Sequence, residues 1–248
     1  MLPQAARLFH MVQMIKTHIL GFDEQLGGGI PEGSVCLVVG EPGTMKSSVA
    51  FNVLYHNALS DDRKGLYISL EQGRDSLLNH MSSLGMDQTV VEDKVTVLDL
   101  ALIRKNLTML GDHSWLHVFK MYADNLKKSQ DYNLLVLDSL PVLELLANFE
   151  KPRIELFHFF EWLRDHDTTT FLIQEQERGS QAFGKYDEDF LSDAILHLRM
   201  AVLDDINVQR RVRAVKVRNA NHSPNYFQLL HQEGRFQVTK IIEDKKSF

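Results

Sequence analysis

The segment Gly40 to Ser47 constrains the fold of this chain more than any other. It reads Gly-Glu-Pro-Gly-Thr-Met-Lys-Ser, follows an apolar run that ends at Val39, and precedes a helix-like run from Ser48 to Ala58. A glycine-rich turn between a buried strand and a helix presents backbone N–H groups to phosphates, and a lysine and a hydroxyl complete the site. The segment therefore predicts a nucleotide phosphate loop of the Walker A type.

Every residue of this loop is a candidate phosphate ligand, and so is the residue that follows it: Gly40, Glu41, Pro42, Gly43, Thr44, Met45, Lys46, Ser47 and Ser48. We expect Lys46 to neutralise the phosphates of ATP and Ser47 to ligate Mg²⁺. Met45 departs from the pattern, which has glycine before the lysine. Its side chain either crowds the loop or folds away from the phosphates, because methionine is flexible. ATP binding is predicted, and hydrolysis is an open question; an ordinary glycine turn is the alternative.

The composition is that of a soluble globular protein. The chain has 248 residues, 44% hydrophobic and 24% charged, and no apolar run reaches the roughly 18 residues of a membrane span. The single cysteine, Cys36, predicts a cytoplasmic protein without an intrachain disulfide. The net charge of −6 disfavours nucleic acid as a partner. No linker divides the chain, so we expect one domain over residues 15–248, after an N-terminal extension, 1–14, of unknown role.

Strand-like and helix-like runs alternate as far as residue 174. The predicted strands are 34–39, 65–70, 94–98, 133–138 and 168–174, and the predicted helices are 46–59, 74–84, 101–130 and 152–165. Such alternation is typical of an α/β fold with a mostly parallel central sheet flanked by helices. After residue 192, strands follow one another at 193–200, 209–218, 226–231 and 235–238. They predict an antiparallel C-terminal extension of the sheet.

Two carboxylates follow predicted strands. Asp138 ends the apolar run Leu134 to Leu137, and Glu71 follows the run Gly65 to Leu70. A Mg²⁺ site beside a phosphate loop needs a carboxylate at a strand end, and a second carboxylate near the γ-phosphate can polarise an attacking water. We therefore expect Asp138 to hold the metal and Glu71 to act on the water. Alternatively, Asp138 only caps the next turn.

The run Arg210 to Arg218 is the most basic part of the chain. Charged and apolar residues alternate there in the manner of a strand, so Lys216 and Arg218 are expected on the same face. An exposed edge strand that carries charges against aggregation shows the same pattern. The periodicity alone does not show whether these charges prevent aggregation at a sheet edge or take part in a functional site.

The chain resembles the KaiC-like branch of the RecA superfamily of P-loop ATPases, as a single-domain member. The resemblance rests on the order and spacing of five segments: Gly21–Ser34, the phosphate loop, Gly65–Glu71, Leu135–Ser139 and Lys216–Ser223. It implies a RecA-like core that binds ATP and Mg²⁺ and assembles head to tail, as a ring such as a hexamer or as a filament. ATP would lie between adjacent subunits.

The resemblance also assigns roles to residues of this sequence. Lys46 and Ser47 match the phosphate and Mg²⁺ ligands, Asp138 the second metal ligand, and Glu71 the catalytic glutamate. The residues that match those reaching the γ-phosphate of the adjacent subunit are Lys216, Arg218 and His222. A cation supplied in trans can contribute about 10³ to 10⁵ in rate. Hydrolysis, expected to be slow, would then depend on assembly.

Two departures favour a regulatory role. Gln72 stands where family members usually have a second acid, and Met45 replaces a glycine. A non-hydrolysing scaffold, in which ATP orders the subunit interface and recruits a protein partner, is therefore an alternative to an ATPase. In the circadian clock member of this family, adjacent Ser and Thr residues are autophosphorylated. Asp189 and Phe190 occupy the matching positions here, and neither has a hydroxyl group, so a clock autokinase is disfavoured.

A DNA-binding recombinase relative is a third, less favoured class. The loop from Glu175 to Leu191 carries five acidic and two basic side chains, so it would repel phosphates. The predicted loop from Leu140 to Lys151 is apolar and better suited to protein contact. His113 and His117 are four residues apart on a predicted helix, but no third ligand accompanies them, so a metal site there is disfavoured.

Overall fold

The computed structural model describes residues 13–100 and 115–241. The strands in this part of the chain are β1 (Met14–Ile15), β2 (Ile30–Pro31), β3 (Val35–Gly40), β4 (Gly65–Ser69), β5 (Val95–Asp99), β6 (Leu134–Asp138), β7 (Thr169–Glu175), β8 (Ala194–Val202), β9 (Val208–Val217), β10 (Phe227–Gln232) and β11 (Arg235–Lys240). The α-helices are α1 (Lys46–Ser60), α2 (Arg74–Ser83), α3 (Trp115–Gln130), α4 (Leu140–Ala147), α5 (Pro152–Asp165) and α6 (Glu188–Leu191).

Nine strands form one sheet in the order β11-β10-β9-β8-β3-β7-β6-β4-β5. The strands β8, β3, β7, β6, β4 and β5 are parallel, whereas β8 to β11 pair antiparallel in sequence order. The strand β3 therefore lies centrally, with β7 on one side and β8 on the other. This is the α/β fold with an antiparallel C-terminal extension that the sequence predicts.

Two hydrophobic cores, one on each face of the sheet, explain why the central strands are apolar throughout. All six residues of β3 are buried. Cys36 and Val38 pack toward the side of α1 and α2, and Val35, Leu37 and Val39 pack toward α3, α4 and α5. Since successive strand residues point to opposite faces, a strand covered on both sides reads as a continuous apolar run.

One predicted loop is wrong. The segment expected to be a loop from Leu140 to Lys151 contains α4, which has proline in its first turn, where the missing N–H costs nothing. Leu143 is fully buried in the helix-covered core, so the apolar run is mostly a packing face rather than a free loop. The first part of the region 101–130, in which helices are predicted, includes His113 and lies outside the described residues.

Candidate nucleotide-binding site

The phosphate loop connects the end of β3 to the beginning of α1. Gly40 has no room for a side chain, because a Cβ there would lie 2.3 Å from the carbonyl oxygen of Leu198 on the neighbouring strand. Gly43 adopts a φ of +83°, in the left-handed region. Thr44 donates its hydroxyl to the carbonyl oxygen of Glu41 at 2.8 Å, which closes the turn. The close approach of β8 to Gly40 and the Thr44 hydrogen bond thus fix the conformation of the loop backbone.

Met45 lies in the left-handed region as well, with φ 73° and ψ 31°. Glycine adopts this conformation freely, whereas an L-residue with a Cβ pays roughly 1–2 kcal/mol for it. The Met45 side chain packs against the core on the α1 side of the sheet. The position therefore keeps the backbone geometry that the glycine of the pattern would have.

We expect Met45→Gly to be more stable than Met45→Ala by about 1 kcal/mol, because both lose the side chain but only alanine keeps the strained Cβ. At Asn79, an exposed position in α2, the order should reverse, since alanine is the better helix residue by about 1 kcal/mol. Urea unfolding of the four variants measures both differences. Equal stabilities at position 45 would contradict the strain.

Lys46 is almost fully buried at the beginning of α1. Its Nζ donates to the carbonyl oxygen of Glu41 at 3.1 Å. Burial lowers the pKa of Lys46, and the negative charges of Glu175, Asp138 and Glu71 partly restore it. A cation that three carboxylates surround at the end of a parallel sheet is positioned to bind phosphates together with a metal ion.

Asp138 lies at the carboxyl end of β6, next to the phosphate loop. Its Oδ2 accepts a hydrogen bond from the Tyr67 hydroxyl at 2.5 Å. Burial raises the pKa of Asp138, while hydrogen bonds from Tyr67 and Ser47 oppose the shift. A hydroxyl and a carboxylate in contact are oxygen ligands of the kind that Mg²⁺ prefers when phosphates and water supply the rest. Ser47 and Asp138 therefore fit a Mg²⁺ that ATP brings.

Glu71 follows β4, which pairs with β6 so that Ser69 is opposite Asp138. The Ser139 hydroxyl donates to Oε1 of Glu71 and fixes the carboxylate at this edge of the sheet. Gln72 precedes α2, and its Nε2 donates to the hydroxyl of Ser76 in that helix at 2.8 Å. The structure thus brings Lys46, Ser47, Asp138 and Glu71 together at one end of the sheet.

A cavity of about 580 Å³ opens beside these residues, between Pro42, Pro141 and the segment after β7. Gln174 lines it from β7. The Oε1 of Gln174 is buried and has no hydrogen-bond partner among the described residues. A buried acceptor without a partner costs about 1–3 kcal/mol, so the position fits a water or hydroxyl donor that a bound ligand would bring.

Lys216 and Arg218 lie at the other end of the sheet. Lys216 is paired with Ile195 of β8, and the Arg218 N–H donates to the carbonyl oxygen of Asp193, just before β8. The Asp193 N–H in turn donates to Val35, the first residue of β3. About 17 Å of strand therefore separates the level of Arg218 from Gly40 at the phosphate loop.

The side chains of this second cluster contact their own chain. The Nζ of Lys216 donates to the carbonyl oxygen of Asp189 at 2.6 Å. The guanidinium of Arg218 donates to Oδ1 of Asp193 at 3.0 Å and to the carbonyl oxygen of Phe190 at 3.1 Å. Burial, and next the charge of Arg218, lower the pKa of Lys216. His222 follows in a loop, where its Nδ1 lies 3.4 Å from the carbonyl oxygen of Ala220.

Sequence reasoning missed four residues beside the loop. Tyr67 and Ser139 orient the two carboxylates, as described above. Arg210 donates its Nε to the carbonyl oxygen of Gly43 at 3.4 Å, and the hydroxyl of Ser48 lies 3.2 Å from Nε2 of His80. Arg210 and His80 line a cavity of about 570 Å³ that also touches Met45 and Lys46. The basic run contains Arg210, but nothing in its spacing indicates this contact.

Comparison with known proteins places these observations in a family. A family model described as "ATPase: KaiC" matches residues 15–242. The chain belongs to the KaiC family of ATPases. Membership in this family implies that the chain uses a nucleotide.

Individual KaiC relatives support the assignment. The chain is 32% identical over 219 residues to the circadian clock oscillator protein KaiC 1 of Synechocystis, covering 85% of this chain and 41% of the relative. It is 26% identical over 229 residues to the circadian clock protein KaiC2 of the same organism, covering 91% of this chain and 40% of the relative. The chain therefore spans about 40% of the length of these curated KaiC proteins.

A solved structure matches the KaiC-family chain over nearly its whole length. It is the crystal structure of a KaiC-like protein from the hyperthermophilic archaeon Pyrococcus horikoshii OT3, with a TM-score of 0.78 and 26% sequence identity. The match covers 92% of this chain and 99% of the archaeal one. The fold of this chain is thus that of a KaiC-like protein.

The described residues contain neither a side-chain cluster suited to hold a metal ion nor a helix suited to cross a membrane. Among residues 13–100 and 115–241, which include His117, no group of three or more His, Cys, Asp or Glu is arranged to hold a metal ion. Mg²⁺ bound through one hydroxyl, one carboxylate and phosphates needs no such group. Within the same residues, no helix has both the length and the apolar character required to cross a membrane.

Two carboxyl groups, Glu144 of α4 and Glu188 of α6, lie at the edge of the cavity that Gln174 lines. Glu188 is fully buried, and its carboxylate accepts the backbone N–H groups of Lys185 and Tyr186. Burial, together with the adjacent Glu188, raises the pKa of Glu144 to about 8. Glu144 therefore carries a proton at neutral pH. The pair connects the helix after Asp138 to the segment after Gln174.

We expect this pair to make stability depend on pH. The pKa of Glu144 rises from an ordinary 4.5 to about 8 on folding, so its contribution to stability is full below pH 4.5 and lost as the pH rises toward 8. Glu144→Gln, which cannot ionise, should melt progressively higher than wild type from about pH 5 to about pH 9, by about 3 °C or more at the end.

Glu150→Gln is the control, because Glu150 is exposed and lies just after α4. Its melting temperature should follow that of the wild type at every pH. If the Glu144→Gln and wild-type curves also run parallel, the pKa of Glu144 is not raised by folding, and a protonated Glu144 at neutral pH is ruled out.

Proposed function

We propose that this chain binds Mg-ATP at the loop Gly40–Ser47 and hydrolyses it slowly in a site that a second copy completes. The observation that carries the proposal is the separation of the two clusters. Lys46, Ser47, Asp138 and Glu71 converge at the carboxyl ends of the parallel strands. Lys216 and Arg218 lie beyond β8, toward the level at which β3 begins. Within one chain, the second cluster cannot reach the first.

Each group in the first cluster has a chemical role. Lys46 and the loop N–H groups would hold the β- and γ-phosphates, and Ser47 and Asp138 would hold Mg²⁺. When bound, Mg²⁺ neutralises charge on the phosphates. Glu71, oriented by the Ser139 hydroxyl, would orient the attacking water and accept its proton.

A head-to-tail arrangement accounts for the second cluster. A heterologous contact repeated from copy to copy closes into a ring or extends as a filament. Lys216, Arg218 and His222 of one copy would then face the γ-phosphate bound by the next, where added positive charge stabilises the transition state. In this arrangement residues 15–248 act as one domain, and ATP contributes to the interface.

The decisive experiment follows ATP turnover and molecular mass in the same samples. We expect phosphate release that depends on Mg²⁺ and appears only under conditions in which light scattering shows an oligomer. Glu71→Gln should lose turnover but keep ATP binding and assembly. Turnover by a protein that stays monomeric would contradict the completion of the site by a second copy.

A non-hydrolysing scaffold is the second candidate function. The residue type at position 72 favours it, because Gln72 supplies no second acid beside Glu71. In that case ATP would bind and drive assembly without phosphate release, even in Met45→Gly. A protein partner would then be sought with the ATP-bound oligomer, and retention on single-stranded DNA would distinguish the less favoured recombinase class.

A further inference from the structure

The neighbouring strands β8 and β9 carry a group of arginines on one face of the sheet. Arg199 of β8 is directly opposite Arg211 of β9, and two residues along β9, Arg213 is opposite His197. Like charges directly across a strand pair destabilise a sheet. Among the described residues, neither Arg199, Arg211 nor Arg213 forms a salt bridge. The sheet therefore tolerates a concentration of positive charge without a carboxylate to offset it.

Tyr226, just before β10, is the centre of this group. The guanidinium carbon of Arg199 lies 3.9 Å from the centroid of the Tyr226 ring, and that of Arg213 lies 4.6 Å from it. Stacking on the ring positions both guanidiniums and offsets part of their repulsion, at about 0.5–2 kcal/mol for each contact. Stacking leaves the N–H groups at the guanidinium edges free to bind an anion.

Hydrogen-bond donors exceed acceptors here. The Nε atoms of Arg199 and Arg213 are buried and have no hydrogen-bond partner among the described residues. The Nε of Arg211 donates to Oε1 of Gln209 at 2.8 Å. A buried donor without a partner costs about 1–3 kcal/mol, more when it is charged. An oxyanion in the cleft that Arg199 lines would bring acceptors to its guanidinium.

A cleft of about 620 Å³ lies beside these arginines, which is large enough for a small ligand. Its described lining contains no Asp or Glu and shares no residue with the two cavities beside the phosphate loop: Gln25, Arg199, Arg211, Ser223, Asn225, Tyr226, Phe227, Lys240 and Ile241. The protein as a whole carries a net charge of −6. A basic cleft on an acidic protein indicates a specific anion rather than general adhesion to polyanions.

The cleft is held in place by a chain of hydrogen bonds. The Tyr226 hydroxyl lies 2.9 Å from Nδ1 of His197, whose Nε2 lies 2.9 Å from Oε1 of Gln176. Burial and the charges of Arg213 and Arg199 lower the pKa of His197 to about 4. The ring is therefore neutral, so Nε2 donates to the Gln176 oxygen and Nδ1 accepts from Tyr226. A site held in this way loses little entropy on binding.

We propose that this cleft binds a small phosphorylated anion, with Arg199, Arg211 and Lys240 as its charged ligands and Tyr226 as its floor. Guanidinium groups match phosphate oxygens bidentately and bind them more specifically than a lysine does. The site is separate from the phosphate loop and does not depend on the proposed function.

Isothermal titration calorimetry with pyrophosphate tests the proposal. The Lys46→Ala protein is used, so that the phosphate loop does not compete for pyrophosphate; if this variant fails to fold, Lys46→Met, which also lacks the charge, replaces it. We expect saturable binding that Arg211→Gln, which leaves the arginines on Tyr226 in place, weakens at least about 10-fold. Arg235→Gln, the same charge change on β11 outside the cleft, should leave the affinity unchanged.

Two further titrations identify the source of the phosphate. Tighter binding of pyrophosphate than of AMP indicates an inorganic polyphosphate, and the reverse indicates a nucleotide; both support the site. Absence of saturable binding overturns the proposal, and so does equal weakening by Arg211→Gln and Arg235→Gln. Binding of a single-stranded oligonucleotide that is lost in Arg211→Gln, without binding of pyrophosphate, also overturns it in favour of nucleic acid.

The chain's own carboxylates are the remaining alternative occupant. Ile241 lines the cleft, and Glu243 and Asp244 follow it closely in the sequence. The double change Glu243→Gln and Asp244→Asn is therefore titrated in parallel. If pyrophosphate binds only this variant and not the parent protein, the cleft holds the C-terminal acids, and the proposal of a phosphorylated ligand is wrong.

Discussion

Lys46→Ala is expected to weaken ATP binding at least about 100-fold, because a buried cation on the phosphates contributes roughly 3 kcal/mol. Lys46 is nearly fully buried and lies among Glu175, Asp138 and Glu71. Without its charge, these carboxylates face the phosphates of ATP uncompensated, so the loss should exceed that of a surface lysine. Titration with a fluorescent ATP analogue measures the change.

Lys64→Ala is the matched control, since Lys64 is exposed just before β4. It should leave the affinity for ATP at the wild-type value. The two variants should also separate in a thermal shift assay, where ATP stabilises Lys64→Ala and leaves Lys46→Ala unchanged. Wild-type affinity in a folded Lys46→Ala protein would remove the phosphate-loop assignment.

Arg218→Ala is expected to reduce ATP turnover by about 10³ while sparing ATP binding, because a cation supplied by the adjacent copy acts mainly on the transition state. A mixing experiment shows whether the cation comes from the same chain. Arg218→Ala and Glu71→Gln are each inactive alone. In an equimolar, randomly assembled mixture, about a quarter of the sites combine an intact Glu71 with an intact Arg218 from the neighbour.

Turnover of the mixture should therefore recover to about a quarter of the wild-type rate at most. If Arg218 acted within its own chain, no mixture of the two variants would recover. Arg164→Ala is the control for stability, since Arg164 also pairs with the Asp193 carboxylate, its Nε 3.1 Å from Oδ2. It should lower the melting temperature without abolishing turnover by the folded protein.

Most of the fold could be predicted from the sequence. The strand β3 and the helix α1 are recognisable because a buried strand is a continuous apolar run and a glycine-rich turn marks its end. The antiparallel strands after residue 192 are confirmed for the same reason, since turn signals separate them. The prediction for residues 140–151 was wrong because a short, mostly apolar run is compatible with either a loop that contacts a protein or a buried helix.

The candidate site was less predictable than the fold. Lys46, Ser47, Asp138 and Glu71 could be named because each follows a strand, and parallel strands end at the same edge of the sheet. Their roles stay predictions. Tyr67, Ser139 and Arg210 were missed, because a residue that orients another side chain carries no local signal when its partner is far away in sequence.

The sequence by itself determined the family, the order of the strands along the chain and the position of the glycine-containing turn between β3 and α1, because each depends on short segments whose burial and turn chemistry are local. Only the tertiary structure decided that Arg218 lies at the opposite end of the sheet from Gly40 and that Arg199, Arg211 and Tyr226 share one cleft. These relations follow from strand register, and a shift of one residue would move every side chain to the other face.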